Sequence, residues 1–337
     1  MKSFTQLGND LYTGERSIGF VKKRKVWFSI AIVLIIASVL VPVIRGGFNL
    51  GIEFTGGSEF QISDPQSTEQ PLATEAVAAY TDAAPRVQQL GDGSIRVQTD
   101  ALSSEDNVAL RADLAEAYGT SLEDVTVSTI GPSWGADITR QMLIGLGVFL
   151  VLASAFMAFY FRTWKMALAA ILTLFHDLIV TAGIYALTGV EVTPAAVIGF
   201  LTILGYSLYD TVVVFDKIRE NTAEYSPTSS RTFGEQVNLA INQTLVRSIN
   251  TSVVALLPVA AILFIGAFVM GAGTLRDISL ALFIGIIVGA LSTVFIAGPL
   301  YAQLRVTEIG IKDIDEEIIE ARESAEQQDS ATAASAV

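Results

Sequence analysis

Gly205-Tyr-Ser-Leu-Tyr-Asp-Thr-Val-Val-Val-Phe-Asp-Lys-Ile-Arg-Glu-Asn221 begins apolar and ends charged. Its first half continues an apolar run that starts near Ala195, so Asp210 sits inside a segment that reads as a membrane helix. A carboxylate at that depth costs roughly 2.5–3.5 kcal/mol on insertion scales, and such residues face a bundle interior or a wet cavity. Helical spacing places Gly199, Thr202, Tyr206, Asp210 and Val213 on one face, a small and polar stripe. An interfacial Asp at a helix end is the plainer alternative. The favoured reading is a proton- or ion-handling group inside a bundle.

The whole composition agrees with a membrane protein. Of 337 residues, 51% are hydrophobic and only 16% charged. The net charge of −13 gathers in loops and tail, which argues against a nucleic-acid partner. There is no cysteine and one histidine, His176, so thiolate and multi-histidine metal sites are excluded and no cofactor is expected.

Apolar runs predict six spans at 26–44, 141–161, 166–187, 195–215, 251–270 and 278–300. The first is too long for a signal-peptide core and is read as retained. Lysine and arginine collect at Lys22–Lys25, Arg162–Lys165, Lys217–Arg247 and Arg305, which puts both termini in the cytoplasm of a multi-pass cell-membrane protein. Residues 1–25 form a polar lead-in. Residues 216–250 read as a short interfacial helix, a turn and a lead-in to the fifth span. Residues 301–337 read as an acidic, largely disordered tail with a helix over about Ile311–Arg322.

Residues 45–140 are the one sizeable soluble segment. Gly57–Ser63 alternates as a strand, and Thr68–Thr81 reads as a helix capped by Thr68. Arg86–Leu90 and Ser94–Thr99 form a hairpin across Gly91-Asp92-Gly93; Ser103–Tyr118 is a helix stopped by Gly119; Val125–Ile130 alternates again. The fold class is therefore a bundle of six transmembrane helices carrying one external α+β ferredoxin-like domain, β-α-β-β-α-β.

Four ionisable residues fall within or at the spans. His176 and Asp177 lie mid-way along the third, Asp210 in the fourth, and Arg247 opens the fifth, with Asn250 and Thr251 on its face. Arginine stays charged, but beside a carboxylate it favours the ionised acid, so an Asp–Arg contact that makes and breaks would load and release a proton. The competing reading of Arg247 is snorkelling to headgroups; that of His176 is a neutral, hydrogen-bonded ring. Gly285, Gly289 and Ser292 carry small-xxx-small spacing, a helix-packing signal. No Gly-rich phosphate loop precedes a Lys-Ser/Thr pair, so ATP hydrolysis is not expected.

Taken together, Gly51-Ile-Glu-Phe-Thr-Gly-Gly57, His176-Asp177, Gly205–Thr211 with Ile218–Asn221, and Arg247-Ser-Ile-Asn-Thr-Ser252 resemble the SecD/SecF family of the bacterial Sec export machinery. That family lies within the proton-driven resistance-nodulation-division superfamily. The likeness spans roughly residues 20–305. It implies the SecF-type half of a heterodimer with SecD, beside the SecYEG channel, with YajC and YidC as further candidate partners. It also implies use of the proton gradient to help move a preprotein outward after SecA has acted. The family's intramembrane acid and arginine fall on Asp210 and Arg247, and its domain-base motif on Glu53, Gly56 and Gly57. Glu53 stands where the family usually has Asp, which leaves the geometry of the domain base open. The rival reading is a proton-driven half-transporter of the same superfamily that exports lipids or small molecules; a structural anchor would not need the insertion cost of Asp177, Asp210 and Arg247.

Overall fold

The computed structural model describes residues 4–90, 93–161, 163–267 and 273–335. After α1 (Phe4–Thr13) comes α2 (Arg24–Ile44), the first span, with Pro42 near its carboxy-terminal end. The external domain follows: α3 (Ile52–Thr55), β1 (Gly57–Ile62), α4 (Gln70–Val77), β2 (Arg86–Gln89), β3 (Ile95–Thr99), α5 (Ser104–Ala117) and β4 (Val125–Ile130). Its strands run antiparallel in the order β2-β3-β1-β4, consistent with the ferredoxin-like arrangement.

Alternation along the strands sorts the residues of this sheet. Phe60 and Ile62 of β1 lie opposite Val97 and Ile95 of β3. With Val77, Leu110, Leu114 and Tyr118 they form the domain's core. The intervening residues pair Glu59 with Gln98 and Gln61 with Arg96. That polar face is turned to the membrane portion. Ser103 caps α5 by accepting from the Asp106 N–H, and Gly119 (φ +64°) ends it. α4 begins at Gln70 rather than Thr68, because Pro71 sits in the first turn, where its fixed φ is tolerated, and Glu69 precedes it without a side-chain cap. Gly91 and Asp92 of the expected hairpin turn lie outside the described residues.

The remaining spans are α6 (Pro132–Phe161), α7 (Trp164–Thr188), α8 (Pro194–Asn221), α9 (Phe233–Ala261, continued by a π-helical turn over Ile262–Ala267) and α10 (Gly273–Ser292). α10 passes through a second π-helical stretch, Thr293–Ala297, into α11 (Gly298–Val306). Among the described residues six helical segments are long and apolar enough to cross a membrane. α7, α8 and α10 form the centre: Gly285 meets Ile203, and Gly289 meets Ser207. The small-xxx-small stripe is thus a helix contact.

Two elements, the segment between the fourth and fifth spans and the tail, differ from the sequence reading. No separate interfacial helix occupies 216–250; α8 runs unbroken to Asn221 and α9 starts at Phe233. Phe215, Ile218, Phe233 and Val237 on these extensions are buried with Tyr301, which keeps them helical. The tail is one helix, α12 (Ile309–Ser335), and not largely disordered. Ile311 and Ile318 are buried, Asp315 accepts from Tyr225 Oη and the Phe233 N–H, and Arg322 pairs with Glu235 at 2.6 Å.

Candidate functional site

Three spans bring their polar residues to one buried strip. On α8, Asp210 is 4% exposed; its Oδ1 accepts from Ser248 Oγ of α9 at 2.8 Å, while its Oδ2 is buried with no hydrogen-bond partner. One turn earlier on α8, Ser207 donates to Asp177 Oδ2 of α7 at 2.5 Å. The other oxygen of Asp177 lies 3.1 Å from His176 Nδ1. Across α9, Ser252 Oγ donates to the Ser248 carbonyl, and Tyr206 Oη reaches Ser252 Oγ at 3.4 Å. Thr211 and Thr293 hydroxyls meet at 3.2 Å beside it, Thr293 lying in the π-helical stretch that follows α10. π-turns inside helices concentrate at functional positions.

The face read from the sequence is rotated. Thr202 is exposed and bonds back to the Ile198 carbonyl, so the buried stripe of α8 is Gly199, Ile203, Ser207, Asp210, Thr211 and Val214. Arg247 and Asn250 are exposed on α9, and Thr251 donates to the Arg247 carbonyl instead of inward. Among the described residues no ion pair joins Asp210 and Arg247. The inward donors are Ser248 and Ser252, each one residue further on. At about 100° per residue that shift carries a side chain from the outer face to the inner one.

A second polar cluster joins the external domain to the bundle. Leu50 forms a parallel bridge with Val192 in the loop between α7 and α8, and the Val192 N–H donates to the Asn49 carbonyl. Gly56 and Gly57 hold φ of +74° and +147°, and a Cβ on Gly57 would lie 2.5 Å from the Thr99 carbonyl. This allows the chain to turn from α3 directly into β1. Below the sheet, Arg96 pairs with Glu59 at 3.5 Å and with Glu191 at 3.4 Å, and Gln98 Nε2 donates to both carboxylates. Glu191 is only 2% exposed, and burial pushes its carboxyl above the usual range against the pull of Gln98 and Arg96. Burial likewise raises Glu53. Thr193 donates to Asp277 of α10, which Arg276 also pairs. Glu191 and Arg96 escape a sequence reading because they lie 95 residues apart; the bridge from Leu50 to Val192 brings the loop that holds Glu191 to the sheet.

Two family models match the chain: "Protein export membrane protein SecD/SecF, C-terminal" over residues 111–307, and the "SecD/SecF GG Motif" over residues 46–63. A protein translocase subunit SecF from Streptomyces coelicolor is 45% identical over 324 residues, covering 96% of this chain and 86% of the relative. The chain belongs to the SecD/SecF family. Within that family, a SecF from Rhodothermus marinus is 34% identical, covering 85% of this chain and 92% of the relative. The crystal structure of SecDF from Thermus thermophilus, described as a translocon-associated membrane protein, superposes with a TM-score of 0.76 at 30% identity. The match covers 86% of this chain and 39% of that one, so the chain spans about two fifths of the solved SecDF polypeptide. The SecD/SecF motif over 46–63 contains the bridge at Leu50 and the Gly56-Gly57 turn, both at the domain base.

Proposed function

We propose that this chain is the SecF-type half of the Sec protein-export machinery. It works with a SecD-type half beside the SecYEG channel, and uses the proton-motive force to assist preproteins across the cytoplasmic membrane after SecA has acted. YajC and YidC are its further candidate neighbours. Asp210 carries the reading: a buried carboxylate with one hydroxyl donor and one unpartnered oxygen, in line with Ser207, Asp177 and His176 across three spans. A carboxylate so placed takes up a proton when its surroundings dry and gives it up when a cation approaches. Arg247 stands on the outward face of α9 among exposed Ile249, Val253 and Val254. The partner half covers that face, and its arrival changes the field at Asp210.

Basic flanks orient both termini to the cytoplasm and the β-α-β-β-α-β domain outward. Protons moving inward past Asp210 are coupled to movement of that domain, with no ATP used by this chain. Asp210→Asn keeps the shape of the side chain and the Ser248 bond while removing the titration. We expect normal assembly and loss of the gradient-stimulated part of late preprotein translocation in membrane vesicles. Full stimulation at normal expression would reduce Asp210 to a packing residue.

A further inference from the structure

A cavity of about 810 Å³ opens between the amino-terminal segment, the start of α9 and α12. That volume falls within the about 300–1,000 Å³ of small-molecule sites. Its walls come from three stretches of chain: residues 14–24, residues 230–239 and Arg322. These stretches are clamped to one another. Asn238 Oδ1 accepts from the Val21 N–H, its Nδ2 donates to Ser17 Oγ at 2.9 Å, and Arg322 donates to the Ser230 carbonyl. The cavity shares no residue with the buried strip around Asp210.

The charge on these walls is lopsided. Lys22, Arg24, Arg231 and Arg322 line the cavity against one carboxylate, Glu235, in a chain whose net charge is −13. Glu235 is already paired with Arg322 at 2.6 Å. Arg24 donates only to neutral oxygens, Gln303 Oε1 and the Val21 carbonyl. Lys22 is exposed and Arg231 half-buried, and neither makes an ion pair among the described residues. Three positive charges thus share one cavity without a counter-charge, and an anion relieves their mutual repulsion. A phosphate monoester, with about −1.5 to −2 charge at pH 7, balances them better than a single carboxylate does. Guanidinium forks and an ammonium group are also the donors that match phosphate oxygens. Ser17 Oγ accepts from Asn238 and keeps its own hydrogen to donate. No aromatic side chain lines the cavity, so a nucleobase would have nothing to stack on.

We infer that this cavity is a phosphate site, in which Lys22, Arg24 and Arg231 hold the phosphate group of a soluble small molecule or of a lipid headgroup. Both sources can reach it, because Arg24 opens the first span and Val26, two residues on, is already exposed and apolar. A phosphate bound there ties the amino-terminal segment to the start of α9 and adds to the Asn238 clamp.

The test is calorimetric titration of the full-length protein, freed of phospholipid in a neutral detergent, with inorganic pyrophosphate at fixed ionic strength. The wild type should bind one pyrophosphate, and its thermal unfolding should move upward with pyrophosphate concentration. Lys22→Gln and Arg231→Gln should each weaken binding about tenfold or more, the loss of one charge-assisted hydrogen bond. Arg231→Lys should recover part of that loss, since the charge returns without the fork. Without pyrophosphate these variants should unfold at the wild-type temperature. Lys25→Gln, outside the cavity, should leave binding unchanged. The source is read in phosphatidylglycerol nanodiscs, at an ionic strength that screens the surface. Exclusion of pyrophosphate there places a lipid headgroup in the cavity, and unchanged binding assigns it to a soluble phosphate. Absence of pyrophosphate binding by the lipid-free wild type overturns the proposal. So does binding that survives Lys22→Gln combined with Arg231→Gln, or an equal thermal shift from sodium chloride at matched ionic strength.

Discussion

At the scale of single residues, the buried strip divides into groups that hydropathy exposes and groups it hides. Asp177, Asp210 and His176 interrupt apolar runs, so the sequence marks them; Ser207, Ser248 and Ser252 do not, because serine barely perturbs a membrane helix. Ser248 nevertheless supplies the hydroxyl bond to Asp210, and Thr202 and Thr251, read beforehand as support, bond only to their own helices. Ser248→Ala leaves a buried carboxylate oxygen without its donor and should cost about 1–3 kcal/mol. Thr251→Ala and Thr202→Ala should stay within about 0.5 kcal/mol of wild type. Thermal denaturation of the three variants in one detergent makes the comparison, and equal losses would show that Ser248 does not hold Asp210. Helical periodicity gives a face to within one residue only, and one residue separates Arg247 from Ser248.

Among the elements, strands and spans were legible because alternation and long apolar runs are strong signals. The carboxy-terminal extension of α8 was not, since its turn to charged residues at Asp216 looks like a helix end while Phe215 and Ile218 are still packing. Helix crossings give a sharp test. A Cβ at Gly285 would sit 2.5 Å from Ile203 Cγ1, whereas Gly205 has nothing within 4 Å. Gly285→Ala should therefore destabilise by about 1–3 kcal/mol, and Gly205→Ala should be neutral or stabilising by up to about 1 kcal/mol. The joint between sheet and bundle should respond to pH. Glu191 is held protonated above its ordinary 4.5 by burial, so the docked arrangement binds that proton more tightly than an undocked one. Docking is then firmest below that ordinary value and weakens as pH rises through the raised one. The chain lacks cysteine, so spin labels at Thr68→Cys and Leu275→Cys report the domain-to-bundle distance cleanly. The distribution should broaden between pH 4.5 and 8 in the wild type and stay constant in Glu191→Gln; identical behaviour of the two would remove Glu191 from the joint.

For the molecule as a whole, one side of α9 presents Arg247, Asn250, Val253, Val254 and Leu257, all exposed among the described residues. A SecD-type chain should co-purify at equal stoichiometry in mild detergent and protect Val254→Cys from alkylation. A monomer active alone in liposomes would contradict that. Protease added to intact spheroplasts should cut within 45–140 and spare the loop after Asn221. The amino-terminal segment also has a consequence for biogenesis. The Ile18 and Val21 amides are held by Asn242 and Asn238, partners 224 and 217 residues downstream. At about 5–20 residues per second a ribosome needs roughly 10–45 s to supply that partner. Through this interval α2 can already pack on α7, where Ser38 meets Gly183, but its lead-in stays unlatched. Fixing of the amino-terminal segment is therefore timed by the start of α9, and a nascent chain halted before Asn238 holds a first helix whose lead-in has no anchor.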